Sequence, residues 1–320
     1  MRIQRWQADV AVRQLAQDRR AGSVELALQA CQIFEAYALA GNQSHARAGA
    51  MVYSRLARAV AGAQPSMAAV LNVSNRWLCA VQEGERMAAA ARRIARELRW
   101  AQRAAAACAA TLVADGATVL TYSFSSTVLA ALLKAWNQGR RFRVLCSESR
   151  PQLEGRALAA RLASRRVPVE LYTDAALFSA VAGADLVLAG CDAIQPAGFV
   201  NKVGTKALCE LARRHRIPFC VVGDSLKFLP LALQHHFRIR SESPAEVWRA
   251  PRKNIRVHNV YFETVPLRGC SSVITEGGIW SPRQVRGLLE KTEIAAEFRQ
   301  SYKRDRNLAL GSSLREGGCC

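Results

Sequence analysis

From about residue 117 the chain alternates between short apolar runs, clusters of polar residues and stretches of helical composition. The apolar runs lie at 118–121, 142–146, 167–172, 185–189 and 218–222, and the helix-like stretches between them at 126–137, 153–164, 175–181 and 204–214. Parallel neighbours need a long crossover between them, so strand–helix alternation predicts an α/β, mostly parallel, doubly wound sheet with helices on its faces. Strand-like pieces at 257–266 and 272–275, then a helix at 283–302, complete this part.

Residues 1–110 have a different texture. Ala, Arg, Leu and Gln dominate, all good helix formers, and Val24, Leu28, Cys31, Phe34 and Ala38 recur at helical spacing. Residues 87–112 read as one long helix with an Ala-rich face, while Gly41-Asn42 and the segment 62–65 read as punctuation. The expected division is a helical N-terminal domain over 1–114 and an α/β domain over 115–320.

Charge and cysteine narrow the function classes. The formal net charge is +20, from 45 Lys and Arg against 25 Asp and Glu. The excess is spread along the chain, which suits anionic or phosphorylated partners without a detachable basic arm. No helix-turn-helix, RNP-like or zinc-finger signal is found, so nucleic-acid binding has no motif behind it. No apolar stretch approaches the ~20 residues of a membrane span, and the start MRIQRWQADV lacks the apolar segment of a secretory signal. The 10 cysteines include no CxxC pair, and several sit in apolar runs, as Cys108, Cys146 and Cys220 do. Core thiols in a reduced, cytoplasmic protein, with no metal and no cofactor, are expected. The Cys319-Cys320 terminus has no physical account.

Ligands of open parallel sheets bind outside the carboxyl ends of the strands, so the residues following each run are the candidates. After 118–121 come Ser123, Ser125, Ser126 and Thr127, and after 142–146 come Glu148, Arg150, Glu154 and Arg156. After 185–189 come Cys191 and Asp192, then Asn201, Lys202, Gly204 and Thr205, and after 218–222 come Asp224 and Lys227. The serines suit a helix cap and an anion site equally. The segment 201–205 reads as a turn or as a phosphate-binding lysine beside glycine, without the spaced glycine of a Walker loop. Asp192 follows an apolar strand, where burial raises a carboxyl pKa towards that of a general acid; the rival role is a loop-stapling acceptor. The charges at 148–156 read as pairing with one another or across an interface, and His235-His236 as surface.

Taken together, LTYSFSSTV at 120–128, SESRPQLEGR at 147–156, GCDAI at 190–194, NKVGT at 201–205, the isolated Lys227 and YFETVP…ITEGG at 261–278 resemble the superfamily of translation initiation factor 2B alpha, beta and delta subunits. That superfamily includes methylthioribose-1-phosphate isomerase and ribose-1,5-bisphosphate isomerase. The resemblance runs from about 115 to 295, with weaker N-terminal likeness in DRRAGSVELALQA and QPSMAAVLN. It implies a Rossmann-like C-terminal domain, and homodimers or larger homo-oligomers formed through it. It also implies a site for a phosphorylated sugar or a nucleoside monophosphate.

In the isomerases a cysteine and an aspartate move hydrogen between C1 and C2 of an aldose 1-phosphate. Those positions fall on Ser123 and Asp192, and the phosphate-binding pieces on Arg20, Gly22, Ser23, Ser125, Ser126, Asn201, Lys202 and Lys227. The family's Ala-Arg-Pro motif reads Ala63-Gln64-Pro65 here. A thiol supplies some thiolate at neutral pH, whereas a serine hydroxyl needs an activating base, and this segment offers no His or Lys. Cys191, beside Asp192, is a substitute only if it faces the same way. The expectation is therefore a regulatory, initiation-factor-2B-like ligand-binding protein. The alternative is an aldose–ketose isomerase acting on ribose 1,5-bisphosphate or methylthioribose 1-phosphate with Asp192 as acid, and a third reading is an assembly subunit with a vestigial pocket.

Overall fold

The structure, a computed structural model, describes residues 5–40, 47–250, 252–289 and 292–299. Five helices come first: α1 (Arg5–Gln17), α2 (Ser23–Leu39), α3 (Arg47–Ala63), α4 (Ala68–Gln82) and α5 (Met87–Ala110). Then follow β1 (Thr118–Thr121), α6 (Ser126–Asn137), β2 (Arg143–Ser147), α7 (Glu154–Ala163), β3 (Val169–Tyr172), α8 (Asp174–Ser179) and β4 (Leu186–Gly190). The remainder is β5 (Ala193–Gln195), β6 (Gly198–Lys202), α9 (Thr205–His215), β7 (Phe219–Val222), β8 (Phe262–Val265), β9 (Ser272–Thr275), β10 (Gly278–Trp280) and α10 (Pro282–Leu288).

Seven strands form one sheet in the order β10-β9-β7-β4-β1-β2-β3, parallel except for the β9–β10 pair. Every residue of β1, β4 and β7 is buried, as expected of central parallel strands covered on both faces, while edge strand β3 is half exposed. From β1 the chain moves outward through β2 and β3; from β4 it moves the other way through β7 and β9. The order thus reverses between β1 and β4, and the crevice beyond their carboxyl ends is where such sheets hold ligands.

The helical N-terminal region has its own core. In α5, Ala90, Ala91, Ile94, Leu98, Ala101 and Ala105 form one buried face. Trp77 of α4 is fully buried and stacks on Phe34 of α2 at 4.1 Å. This core continues into Ala193 of β5, Val200 of β6 and Leu226, so the helices press directly on the elements past the end of β4. Asn72 of α4 donates to the carbonyls of Leu226 (2.6 Å) and Phe228 (2.7 Å), and the Ala68 amide donates to the Asp192 carbonyl (3.2 Å).

Several expectations are corrected. The segment 257–266 yields only β8, which joins β5 and β6 in a separate antiparallel sheet. Asn201 and Lys202 end strand β6 rather than forming the turn, because they pair with Glu263 and Phe262 of β8. Gly62 lies inside α3, which continues to Ala63. The helix expected over 283–302 is interrupted: Ser281 opens α10 with a capping box, α10 ends at Leu288 just after Gly287, and among the described residues helix resumes at 296–299. His235 and His236 are partly buried rather than fully exposed, with ring centroids 3.9 Å apart. Gly41-Asn42, Tyr302 and Cys319-Cys320 lie outside the described residues. No helix among the described residues is long and apolar enough to cross a membrane.

Candidate functional site

At the β1/β4 switch point lies a cavity of about 390 Å³, closed on one side by the start of α2 and the segment before α4. Its lining includes Arg20, Gly22, Ser23, Ser123, Ser125, Ser126, Asp192, Asn201, Lys202 and Lys227. The candidates named from the sequence thus converge on one hollow from both parts of the chain.

The chain past β1 is held tightly. Ser123 sits in the left-handed region at φ 66°, and its Oγ donates to Glu154 Oε1 at 3.0 Å. Ser125 caps α6 through the Val128 amide (3.3 Å), and the Ser126 hydroxyl accepts from Gln102 of α5 (2.8 Å). Both serines therefore act as structural ties while also lining the cavity. Gly190 closes β4 directly against this loop: a Cβ there would stand 2.6 Å from Ser125 Oγ.

Asp192 follows β4 and is pinned by its amide, which donates to the Val200 carbonyl at 2.8 Å. Desolvation raises its carboxyl pKa to about 6; Lys227 and Lys202 pull it down and Glu154 pushes it up. Such a carboxyl exchanges its proton near neutrality, as a general acid must. Cys191 also lines the cavity. Its thiol lies against the Val222 carbonyl (3.7 Å), and burial pushes it up to about 12, so it supplies no thiolate.

The lysines differ in their ties. Lys227, 3 % exposed, donates to the Cys191 carbonyl at 2.7 Å. Burial alone lowers its pKa, but the Cys191 thiol, Asp224 and Asp192 outweigh that and raise it, so it stays charged. Lys202, also 3 % exposed, lies 2.6 Å from Glu154 Oε1 and over the Tyr261 ring at 4.9 Å. Asn201 donates to Thr205 Oγ1 at 3.0 Å. The N-terminus of α9 holds no open anion site, because Glu263 accepts from the Gly204 and Lys206 amides at 2.7 and 2.8 Å. At the rim Arg20 is exposed; below it Ser23 opens α2, its Oγ buried and without a partner among the described residues.

Residues beyond the sequence list also line the cavity. Glu154, read from the sequence as pairing with its neighbours at 148–156, instead turns inward to Ser123 and Lys202, while Glu148 and Arg156 pair with each other at 2.6 Å. Its place just past the carboxyl end of β2 was the available signal. Gln64 is buried, and its Nε2 donates to the carbonyls of Leu15 (2.5 Å) and Asp18 (2.9 Å). The guanidinium that approaches it is that of Arg240, 3.4 Å from Gln64 Oε1. Glu242 is gripped by Arg19 (2.9 Å) and Arg240. Nothing in the sequence marked Arg240 or Glu242.

Among the described residues no group of three or more His, Cys, Asp or Glu is placed to hold a metal ion. The arrangement offers anion-binding cations and hydroxyls beside one exchangeable carboxyl.

A profile described as the Initiation factor 2 subunit family matches residues 19–282. A translation initiation factor eIF-2B subunit 2-like protein of Pyrococcus horikoshii is 32% identical over 219 residues, covering 68% of this chain and 77% of that one. A ribose 1,5-bisphosphate isomerase of Methanocaldococcus jannaschii is 31% identical over 186 residues, 57% of this chain and 60% of the isomerase. Among solved structures, a translation initiation factor eIF-2B of Pyrococcus horikoshii OT3 superposes with a TM-score of 0.76 at 28% identity, covering 87% of this chain and 98% of that chain.

Proposed function

The chain belongs to the initiation factor 2 subunit family, and from that premise we propose that its cavity binds a phosphorylated sugar or nucleoside monophosphate in a regulatory role. The observation that carries this reading is an incomplete anion cradle. Among the described residues, Lys227 is buried and charged with only a carbonyl as its hydrogen-bond partner, and the Ser23 hydroxyl stands unpartnered at the N-terminus of α2. A phosphate at the start of α2 meets the helix-terminal amides and the Ser23 hydroxyl, in a cavity that Lys227, Lys202 and Arg20 also line. A volume of about 390 Å³ is in the range of small-molecule sites, ~300–1,000 Å³. The regulatory role is supported by Ser123 standing where the isomerase resemblance implies a thiol. Assembly as a homo-oligomer through the C-terminal part is supported by the exposed Val247, Trp248 and Ile255 in one stretch of chain.

Titration calorimetry with ribose 1,5-bisphosphate, methylthioribose 1-phosphate and AMP tests the proposal. At least one is expected to bind, and to lose at least tenfold in affinity in Lys227→Met. No heat with any of the three sinks it.

A second reading, aldose–ketose isomerisation, is favoured by one observation. Asp192 carries a carboxyl raised to about 6 inside the same cavity, which suits a proton donor and has no use in simple phosphate binding.

A further inference from the structure

We infer that the Glu154 carboxylate is the proton-abstracting base of this cavity, standing where the isomerase resemblance implies a cysteine. The inference rests on the isomerase reading and supplies what that reading lacks.

Three observations carry it. Glu154 Oε1 is held by two donors, Ser123 Oγ at 3.0 Å and Lys202 Nζ at 2.6 Å. Its Oε2 is buried and accepts no hydrogen bond among the described residues. The other carboxylates of the lining are occupied: Asp18 accepts from the Arg20 and Ala21 amides and from Gln29, and Glu242 is gripped by Arg19 and Arg240. Among the cavity's acidic groups, that leaves Asp192 as proton donor and Glu154 Oε2 as a bare acceptor.

The direction of the Ser123 hydrogen bond fixes the division of labour. The serine donates to the glutamate, so it orients Oε1 and presents no lone pair activated by a base. Ser123 is then a positioning residue, and its left-handed backbone aims the hydroxyl at α7. Lys202 pairs with the same Oε1, which leaves Oε2 without a donor among the described residues.

The chemistry balances without a co-reactant. On a cyclic aldose 1-phosphate, Asp192 gives its proton to the ring oxygen as the bond from C1 to that oxygen breaks. Glu154 removes the proton from C2, and the C–H electron pair becomes the C1=C2 bond of an enol phosphate. Glu154 then returns its proton to C1 while Asp192 takes the proton from the C2 hydroxyl, leaving a ketone at C2. Both carboxyls end as they began.

The test follows ribose 1,5-bisphosphate in D₂O by NMR, for ketose formation and for deuterium at C1, with calorimetry in parallel. Wild type is expected to form ketose. Glu154→Gln is expected to lose roughly 10²–10⁴-fold in kcat with a dissociation constant unchanged or tighter. Glu154→Asp is expected to keep a fraction of the rate, because the carboxylate is retained at shorter reach. If Glu154→Gln melts below the assay temperature, the Asp variant decides: a fall of at least tenfold in kcat at constant affinity supports the inference, and an unchanged kcat overturns it. Full turnover in Glu154→Gln overturns it. Wild-type binding with neither ketose nor deuterium also overturns it, yet leaves the ligand-binding proposal standing. Failure to bind removes both.

Discussion

Lys202 and Glu154 meet at 2.6 Å across the cavity, the first from the end of β6 and the second from the start of α7. The lysine is 3% exposed and the glutamate 26%, so the pair is unequal. Removing the glutamate strands a buried cation, whereas removing the lysine leaves a carboxylate that still accepts from the Ser123 hydroxyl. Glu154→Ala is therefore expected to cost about 2–3 kcal/mol in urea denaturation, and Lys202→Met less. The double variant is expected to fall short of the sum by about 1 kcal/mol. Strict additivity would mean that the contact carries no coupling.

Asp192 gives the site a pH signature. Its pKa rises from 3.8 to about 6 in the folded chain, so the native state binds more protons than the unfolded state between those values. Stability from this group is complete at low pH and lost as pH rises through about 6, by at most about 3 kcal/mol at about 1.4 kcal/mol per pKa unit. Asp18, Glu85 and Glu297 have lowered pKa values and act in the opposite sense in acid, so the test is a difference. Melting temperature measured from pH 4 to pH 7 is expected to fall more steeply in wild type than in Asp192→Asn. Parallel curves would count against the raised pKa. If the isomerase reading holds, kcat/KM in the starting direction also declines above about pH 6, as the acid loses its proton.

Asn72 ties the helical region to the site at a distance from any ligand. Its amide nitrogen supplies hydrogen bonds to the Leu226 and Phe228 carbonyls, which flank Lys227. In Asn72→Ala both carbonyls lose a buried donor, and a loss of about 2–4 kcal/mol is expected on denaturation. Because the same segment places Lys227, phosphate-ligand affinity is expected to fall as well, by several-fold in calorimetry. A variant that loses stability but keeps full affinity would show that Lys227 is positioned independently of α4.

The parts of the fold legible in the sequence are those whose physics is local. The run 118–121 and the helix 126–137 coincide with β1 and α6, because a strand buried on both faces reads as unbroken apolar sequence and Ser125 marks the helix start. The run starting at Val167 gives a strand only from Val169, since Pro168 has no amide to donate. The sheet of β5, β6 and β8 was not legible: β5 has 3 residues, too few to express a period, and its pairing joins distant segments. The candidate site was legible wherever polar residues directly follow a strand, as with Ser123, Asp192 and Lys227. Glu154 was not, because the nearby Arg150 and Arg156 offered closer partners, and only the fold brings Lys202 to it. Arg240 and Glu242 sit in a segment without regular period, so their approach to Gln64 and Arg19 appears only in three dimensions.

The contact between Gly190 and Ser125 makes the switch point itself testable. An added Cβ at Gly190 would meet Ser125 Cβ and Oγ, each at 2.6 Å, and Ser125 cannot swing away without giving up its cap on α6. Gly190→Ala must therefore push the end of β4 from the start of α6, and overpacking of this kind costs typically ~1–3 kcal/mol. Asp192 moves with the strand end, so ligand affinity is expected to drop at least fivefold. Ser125→Gly alone is expected to cost only a few tenths of a kcal/mol, since glycine is a tolerated cap. Combined with Gly190→Ala it removes the colliding atoms, and the double variant is expected to recover most of both the stability and the affinity. Denaturation and calorimetry on the four proteins of this cycle decide it: no recovery in the double variant would place the strain elsewhere than in this contact.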